Sequence, residues 1–273
     1  LGFILGVLVS SFVFVTPRSF PKRNTWQSDK KALGVWKDIK VIAADGLEQW
    51  IGITPAVGLR LARQIGKVVS NGIRDLEAVW EEWSVGTKPV MTPELVIGGL
   101  TRDAKNIQEW IAAQPSIKEV QGDHPEEAYA FLYAVIATLS DTEKAQAFAR
   151  CVVVENKSEM RQLVQAFPNY PLIIVGPGEC LEVAHAAVLK GHHVLISMDA
   201  TVVGIRNVLR LARPQRSVVE KILHENGLSE ADAQRIARDS GRSIPVLRRH
   251  LFQSNAVSAP TWAKAESAKM LLP

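Results

Sequence analysis

Along the last two thirds of the chain, the pattern of apolar and polar residues alternates between two types of segment. Short apolar runs of strand length are separated by longer segments in which apolar residues recur at helical spacing. The predicted strands are 116–120, 151–154, 172–175 and 193–197, and the predicted helices are 101–113, 125–139, 158–166 and 179–190. Because alternating strands and helices form parallel sheets covered by helices on both faces, the pattern predicts an α/β fold.

A purely helical pattern follows the last of these strands, after an arginine-rich segment. Apolar residues recur at helical spacing from 217 to 251, and Gly227 stands where glycine commonly ends a helix. We therefore expect a small helical cap on the sheet, made of several helices and not of one long rod.

The amino-terminal third has a different organisation. It predicts strand 11–16, strand 39–43 and helix 44–51, then further helices as far as Trp83. A basic loop joins the two strands and contains Arg18, Lys22, Arg23, Lys30 and Lys31. Gly86, Pro89 and Pro93 mark a junction near 87–93. The predicted domains are thus 1–86, a core at 94–215, a helical lid at 216–254 and a tail at 255–273.

Length, charge and cysteine content limit the number of domains, the partners and the cellular compartment that the sequence is compatible with. At 273 residues, with 47% hydrophobic and 22% charged residues, the chain suffices for one large or two modest globular domains. A net charge of +4 is compatible with a nucleic-acid partner but gives no further support for one. Cys151 and Cys180 have no Cys or His at metal spacing, which favours reduced thiols in a cytoplasmic protein. The apolar run 1–15 is shorter than the roughly 20 residues of a spanning helix, so we expect a strand and no membrane anchor.

The stretch Ser240-Gly-Arg242-Ser, followed by Leu247-Arg-Arg249, resembles the lid of AAA+ and STAND-type P-loop ATPases. The resemblance implies a P-loop NTPase-like core with a C-terminal helical lid, in large bacterial proteins that act in nucleic-acid or phage defence. It also implies that Arg242 reaches a phosphate from the lid. The phosphate loop would follow strand 116–120, so Gly122 and Asp123 become the candidate nucleotide-binding residues.

That loop departs from the family pattern. It has one glycine, no Lys for the β and γ phosphates, and no Ser or Thr for magnesium. Asp123, Glu126 and Glu127 instead occupy the helix N-terminus that an anion would use. We therefore expect a core without ATP hydrolysis and without a cofactor. The alternative is an ATPase that holds ATP and magnesium through backbone amides.

The segment Asp45-Gly-Leu47-Glu-Gln-Trp50 resembles a late helix of restriction-endonuclease-like folds. In that family the catalytic Asp and Glu-x-Lys lie upstream of this helix, which implies that 1–86 is a truncated remnant. One internal Glu-x-Lys, Glu155 with Lys157, follows strand 151–154, and Asp141 lies upstream of it. This spacing is that of a metal-dependent nuclease site, although short matches of this kind arise often by chance. A DNA nuclease is therefore a second alternative.

Together these features predict a regulatory or scaffolding module that does not hydrolyse ATP. Its expected partners are other proteins or the remainder of a longer polypeptide. The carboxyl-terminal arginines predict a solvated basic surface, with a phosphate-facing patch as the alternative. They are Arg206, Arg210, Arg213, Arg216, Arg235, Arg238, Arg242, Arg248 and Arg249.

Overall fold

The computed structural model describes residues 11–67, 72–168, 170–198, 200 and 208–252. The predicted tail 255–273, the apolar residues 1–10 and Arg206 lie outside this range. In chain order the elements are β1 (Ser11–Val15), α1 (Arg23–Ala32), β2 (Asp38–Ile42), α2 (Ala44–Ile53), α3 (Pro55–Gln64), β3 (Ile73–Asp75), α4 (Leu76–Ser84), α5 (Pro93–Ile97), α6 (Thr101–Ala112), β4 (Ile117–Gln121), α7 (Glu126–Ala137), α8 (Asp141–Arg150), β5 (Cys151–Val154), α9 (Lys157–Ala166), β6 (Ile173–Pro177), a 3-10 turn (Gly178–Cys180), α10 (Leu181–Leu189), β7 (His193–Met198), β8 (Leu209–Arg210), α11 (Arg216–Glu225), α12 (Glu230–Asp239) and α13 (Ile244–Leu251).

A six-stranded sheet forms the centre of the molecule, in the order β3-β5-β6-β7-β4-β8. Every neighbouring pair is parallel except β3 with β5. The four strands predicted in the second part of the sequence coincide with β4, β5, β6 and β7. The predicted α/β class with a parallel sheet is therefore confirmed.

The strands β5, β6 and β7 are almost continuously apolar because the sheet is buried on both faces. Side chains alternate along a strand, so Cys151 and Val153 join one apolar cluster while Val152 and Val154 join the other. The first cluster includes residues of α4 to α8, and the second includes residues of α9 and α10. Helices thus cover the sheet on both sides, as the alternating pattern predicts.

Three helices, α11 to α13, form the predicted cap. Gly227 follows α11 with a φ of +98°, which confirms it as the residue that ends this helix. The cap has no separate core, because Val219, Leu223, Leu247 and Leu251 belong to the cluster on one face of the sheet. The lid is therefore packed onto the sheet through shared apolar side chains.

The sequence prediction missed five elements: α1, β3, α5, α8 and β8. The predicted basic loop is wrong over Arg23–Ala32, which is helical but has no buried residue and so lacks an apolar stripe. The strands β3 and β8 have only three and two residues, too few for a periodic signal. Both β3 and α4 join the main sheet and its core, although they precede the junction near 87–93.

A separate two-stranded sheet lies at the amino-terminal end of the described residues. Its strands β1 and β2 are parallel, with Ser11 opposite Asp38 and Val15 opposite Ile42. The helix α2 follows, and its Asp45 carboxylate lies 2.7 Å from the Arg23 guanidinium of α1. Within the described part of the chain, none of the helices has the length and apolar character that crossing a bilayer requires.

Two adjacent histidines lie buried where β7 begins. His192 is fully buried and His193 is 3% exposed. The Nδ1 of His192 accepts a hydrogen bond of 3.2 Å from the backbone N–H of Leu172, and the His193 ring packs edge-on against Trp110. Burial lowers the pKa of both imidazoles, and the nearby Arg150 guanidinium lowers that of His193 further.

This burial predicts that the protein loses stability as the pH falls. In the unfolded chain both imidazoles bind a proton near pH 6.5, whereas the folded protein holds them neutral to lower pH. The contribution of the two neutral imidazoles to the free energy of unfolding is therefore complete above pH 6.5. It is lost as the pH falls through the lower pKa values of the folded state. Urea unfolding at several pH values measures this.

A His192→Asn variant keeps an acceptor for the Leu172 amide but has no titrating ring. We expect a shallower loss of the free energy of unfolding between about pH 7 and pH 5 than in the parent. The exposed His185 provides the control, as His185→Asn. An equally steep loss in His192→Asn would contradict the assignment.

Candidate functional site

The turn between β4 and α7 is the place where a phosphate loop is expected. Four residues, Gly122 to Pro125, join the strand to the helix. The side chain of Glu127 reaches back over this turn, and its Oε2 accepts hydrogen bonds from the backbone N–H groups of Asp123 and, at 3.2 Å, of His124. The amides that could hold a phosphate are therefore bound by a carboxylate of the chain itself.

Glu127 is enclosed in this position, with only 8% of the residue exposed. Loss of solvent raises the pKa of its carboxyl group, and the two backbone hydrogen bonds oppose that rise. A Cβ at residue 122 would collide with the Glu127 carboxyl group, so Gly122 leaves room for it. The single glycine of the turn is thus explained by the internal carboxylate.

Asp123 is linked to the segment that leads into the lid. Its Oδ2 lies 3.2 Å from Nη2 of Arg213, and Nη1 of the same guanidinium donates a hydrogen bond of 3.2 Å to the carbonyl oxygen of Gly241. One arginine therefore connects the candidate nucleotide turn to the turn between α12 and α13. The two candidate nucleotide-binding residues thus have partners within the chain, because Gly122 lies against the Glu127 side chain and Asp123 pairs with Arg213.

Arg242, the arginine predicted to reach a phosphate, is exposed and has a φ of +64°. The lid arginine that contacts the core is Arg248. Its Nε donates a hydrogen bond of 2.7 Å to the Trp83 carbonyl oxygen, and its guanidinium lies 5.3 Å from the Trp83 ring centroid. Helical spacing could have identified it, because Arg248 shares the face of α13 that carries the buried Ile244 and Leu251.

The three residues of the possible nuclease site do not converge. Lys157 Nζ lies 2.8 Å from Glu182 Oε2, and Asp141 Oδ1 lies 3.0 Å from Lys144 Nζ. Asp141 and Glu155 line different cavities. In the described ranges, no group of three or more His, Cys, Asp or Glu residues is arranged to hold a metal ion.

A cavity of about 340 Å³ opens beside the end of β5. It lies where the carboxyl ends of β5 and β6 meet α4 and α7, and ligands of parallel α/β sheets commonly bind at carboxyl ends of strands. Aromatic side chains form part of its wall and charged side chains approach its rim. Its lining includes Trp80, Trp83, Tyr129, Arg74, Glu82, Glu126, Glu155 and Arg248. Periodicity could not reveal this cavity, because its walls come from segments far apart in the chain.

Most of the carboxyl-terminal arginines that the structure describes have acidic partners within the chain. Besides Arg213, the pairs are Arg216 with Glu220, Arg235 with Asp232, Arg238 with Asp239 and, at 3.9 Å, Arg248 with Glu126. These pairs neutralise much of the basic surface. The predicted solvated helix surface accounts for them without a nucleic-acid ligand.

Replacement of Glu127 tests its role in the turn. Glu127→Ala leaves two amides without their acceptor and should lower the free energy of unfolding by about 2 kcal/mol. Glu127→Gln keeps an acceptor oxygen and avoids burying a charge, so its cost should stay within about 1 kcal/mol. Denaturant unfolding measures both, with the exposed helical substitution Glu109→Ala as control. Equal stability of Glu127→Ala and the parent would refute the structural role of this carboxylate.

Comparison with known proteins assigns no family. No protein-family model matches the sequence, and no curated protein matches it at a significant level. A function for the chain therefore has to be inferred from the geometry of its own residues.

Proposed function

We propose that the chain is a regulatory or scaffolding module with a degenerate P-loop NTPase-like core that does not hydrolyse ATP. The observation that carries the proposal is the Glu127 carboxylate, which takes the backbone N–H groups of Asp123 and His124. An ATP phosphate would have to displace a buried, hydrogen-bonded carboxylate. No lysine ammonium would then contact the phosphate, because the turn contains no Lys.

The parallel sheet is compatible with the NTPase-like part of the proposal. Numbered along the chain from β4, the five parallel strands lie in the order 2-3-4-1-5. A working ATPase of the resembled type needs a glycine-rich phosphate loop and an acidic residue that closes a later strand. Here β4 leads into the turn filled by Glu127. The third strand ends in Gly176-Pro177 and is followed by Gly178, so no acid stands at its end.

The contacts of the lid support a scaffolding role. In ATPases of the resembled type, lid arginines respond to the phosphates of the bound nucleotide. Here Arg213 pairs with Asp123, and Arg248 lies 3.9 Å from Glu126 while bonding to the Trp83 carbonyl. Carboxylates of the chain provide the negative charge that a nucleotide would supply. The lid therefore has a closed position on the core that needs no ligand.

The biological setting is part of the proposal and follows from the resemblance. The module would act in the cytoplasm of a bacterium, within a protein for nucleic-acid or phage defence. It would hold partner proteins or other parts of a longer polypeptide. The internal pairing of the carboxyl-terminal arginines leaves less basic surface for a nucleic acid, so a protein partner is favoured.

The proposal predicts that ATP with magnesium binds weakly or not at all. Without a cationic side chain, the turn offers at most helix-dipole and amide contacts, worth about 1–2 kcal/mol. Isothermal titration calorimetry with the purified chain measures this, and a phosphate-release assay on the same sample measures hydrolysis. A micromolar dissociation constant would support the alternative of an ATPase that uses backbone contacts.

The proposal also predicts that the chain does not cleave DNA. Lys157 is paired with Glu182, and Asp141 lines a different cavity from Glu155, so the groups of a metal site are not assembled. Supercoiled plasmid incubated with the protein and magnesium or manganese should stay intact. A Glu155→Ala variant and the control Glu109→Ala are tested in parallel. Nicking by the parent and the control that disappears in Glu155→Ala would establish the nuclease alternative.

A further inference from the structure

We propose that the cavity at the carboxyl ends of β5 and β6 binds a small organic cation with a planar apolar body, such as an aromatic amine. Three observations carry this inference: the aromatic wall, the pairing of the two arginines, and a carboxylate with which none of the described residues forms an ion pair. The site is separate from the proposed function, because it needs neither the filled turn nor a nucleotide.

The apolar wall of the cavity is rigid. Trp80 stacks on Tyr133 with ring centroids 4.4 Å apart and an angle of 5° between the planes. Trp83 lies 5.4 Å from Trp80, and each tryptophan is only 8% exposed. Val153 and Val154 of β5 line the same cavity. Fixed aromatic surfaces of this kind favour a planar ligand, since little side-chain freedom is lost on binding.

Both arginines at the cavity are already engaged within the chain. Arg74 Nη2 pairs with the Glu82 carboxylate and lies 3.5 Å from the Ala78 carbonyl oxygen. Arg248 donates to the Trp83 carbonyl oxygen at 2.7 Å and lies over the Trp83 ring. A ligand anion would have to compete with these contacts. The arginines are therefore poor anchors for a phosphate or a carboxylate.

Among the residues that the structure describes, no ion pair or side-chain hydrogen bond involves the Glu155 carboxylate. The backbone of this residue is held in place, since the Glu155 N–H donates to Glu159 Oε2 at 2.8 Å. Glu155 thus presents an exposed carboxylate on an anchored backbone beside the aromatic wall, and an ammonium group would neutralise its charge.

The volume of the cavity limits the ligand to a small molecule. About 340 Å³ lies at the lower end of the range of ligand pockets. An indole ring with a short ethylammonium arm fits these dimensions and provides both the planar body and the cation. Tryptamine is therefore the probe of choice, and indole-3-acetate is its counterpart with the opposite charge.

Calorimetric titration of the full chain with tryptamine and with indole-3-acetate tests the proposal. We expect saturable binding of tryptamine and at least tenfold weaker binding of indole-3-acetate. Glu155→Gln should weaken tryptamine binding about tenfold, because a charge-assisted hydrogen bond becomes a neutral one. Glu155→Arg should reverse the preference between the two probes. Glu94→Gln, at an exposed acid that does not line this cavity, should change neither affinity.

Three results would overturn the proposal. The first is no saturable binding of tryptamine by the parent chain. The second is tryptamine binding that Glu155→Gln leaves unchanged, since the ligand would then use another anchor. The third is a preference of the parent for indole-3-acetate. Circular dichroism and unfolding of each variant establish that it is folded, which is expected because Glu155 is exposed.

Discussion

Both faces of the central sheet are buried, and this burial requires the helices that surround it. The strands β5, β6 and β7 expose almost nothing, so each face must be covered by a layer of helices. On one face this layer includes residues of the lid helices as well as of α4 to α7. The lid therefore cannot leave the core without exposing apolar side chains such as Leu223 and Leu247, which are fully buried.

Electrostatics at the edge of the sheet follows from this packing. The helix α7 begins beside the end of β4, where backbone amides attract negative charge. Glu127 supplies that charge from within the helix, and Arg213 then joins the Asp123 carboxylate to the lid. A nucleotide is unnecessary for either contact. At the same edge of the sheet, the Glu155 carboxylate lies beside the aromatic side chains of α4.

The chain on the amino-terminal side of the predicted junction contributes β3 and α4 to the main sheet and its core, and this changes how the molecule is organised. The short β3 adds an antiparallel edge to β5, and its Asp75 begins α4 by accepting a hydrogen bond of 2.9 Å from the Ala78 N–H. Trp80 and Trp83 then enter the main core. Residues on both sides of the junction near 87–93 thus build the cavity. Glycine and proline mark that connection but do not separate two independent cores.

Periodicity is a local property of the chain, so sequence analysis identified the α/β class, the strands β4 to β7, the helices α7, α9 and α10, and the helical nature of the lid. The sequence also shows that the turn after β4 has no Lys and carries carboxylates. Three features became visible only in the folded chain: Glu127 turns back onto the amides, Arg248 contacts the core while the Arg242 side chain is exposed, and Trp80, Glu126 and Glu155 share a cavity. These facts depend on the side-chain direction and on contacts between distant segments, neither of which a pattern along one chain contains.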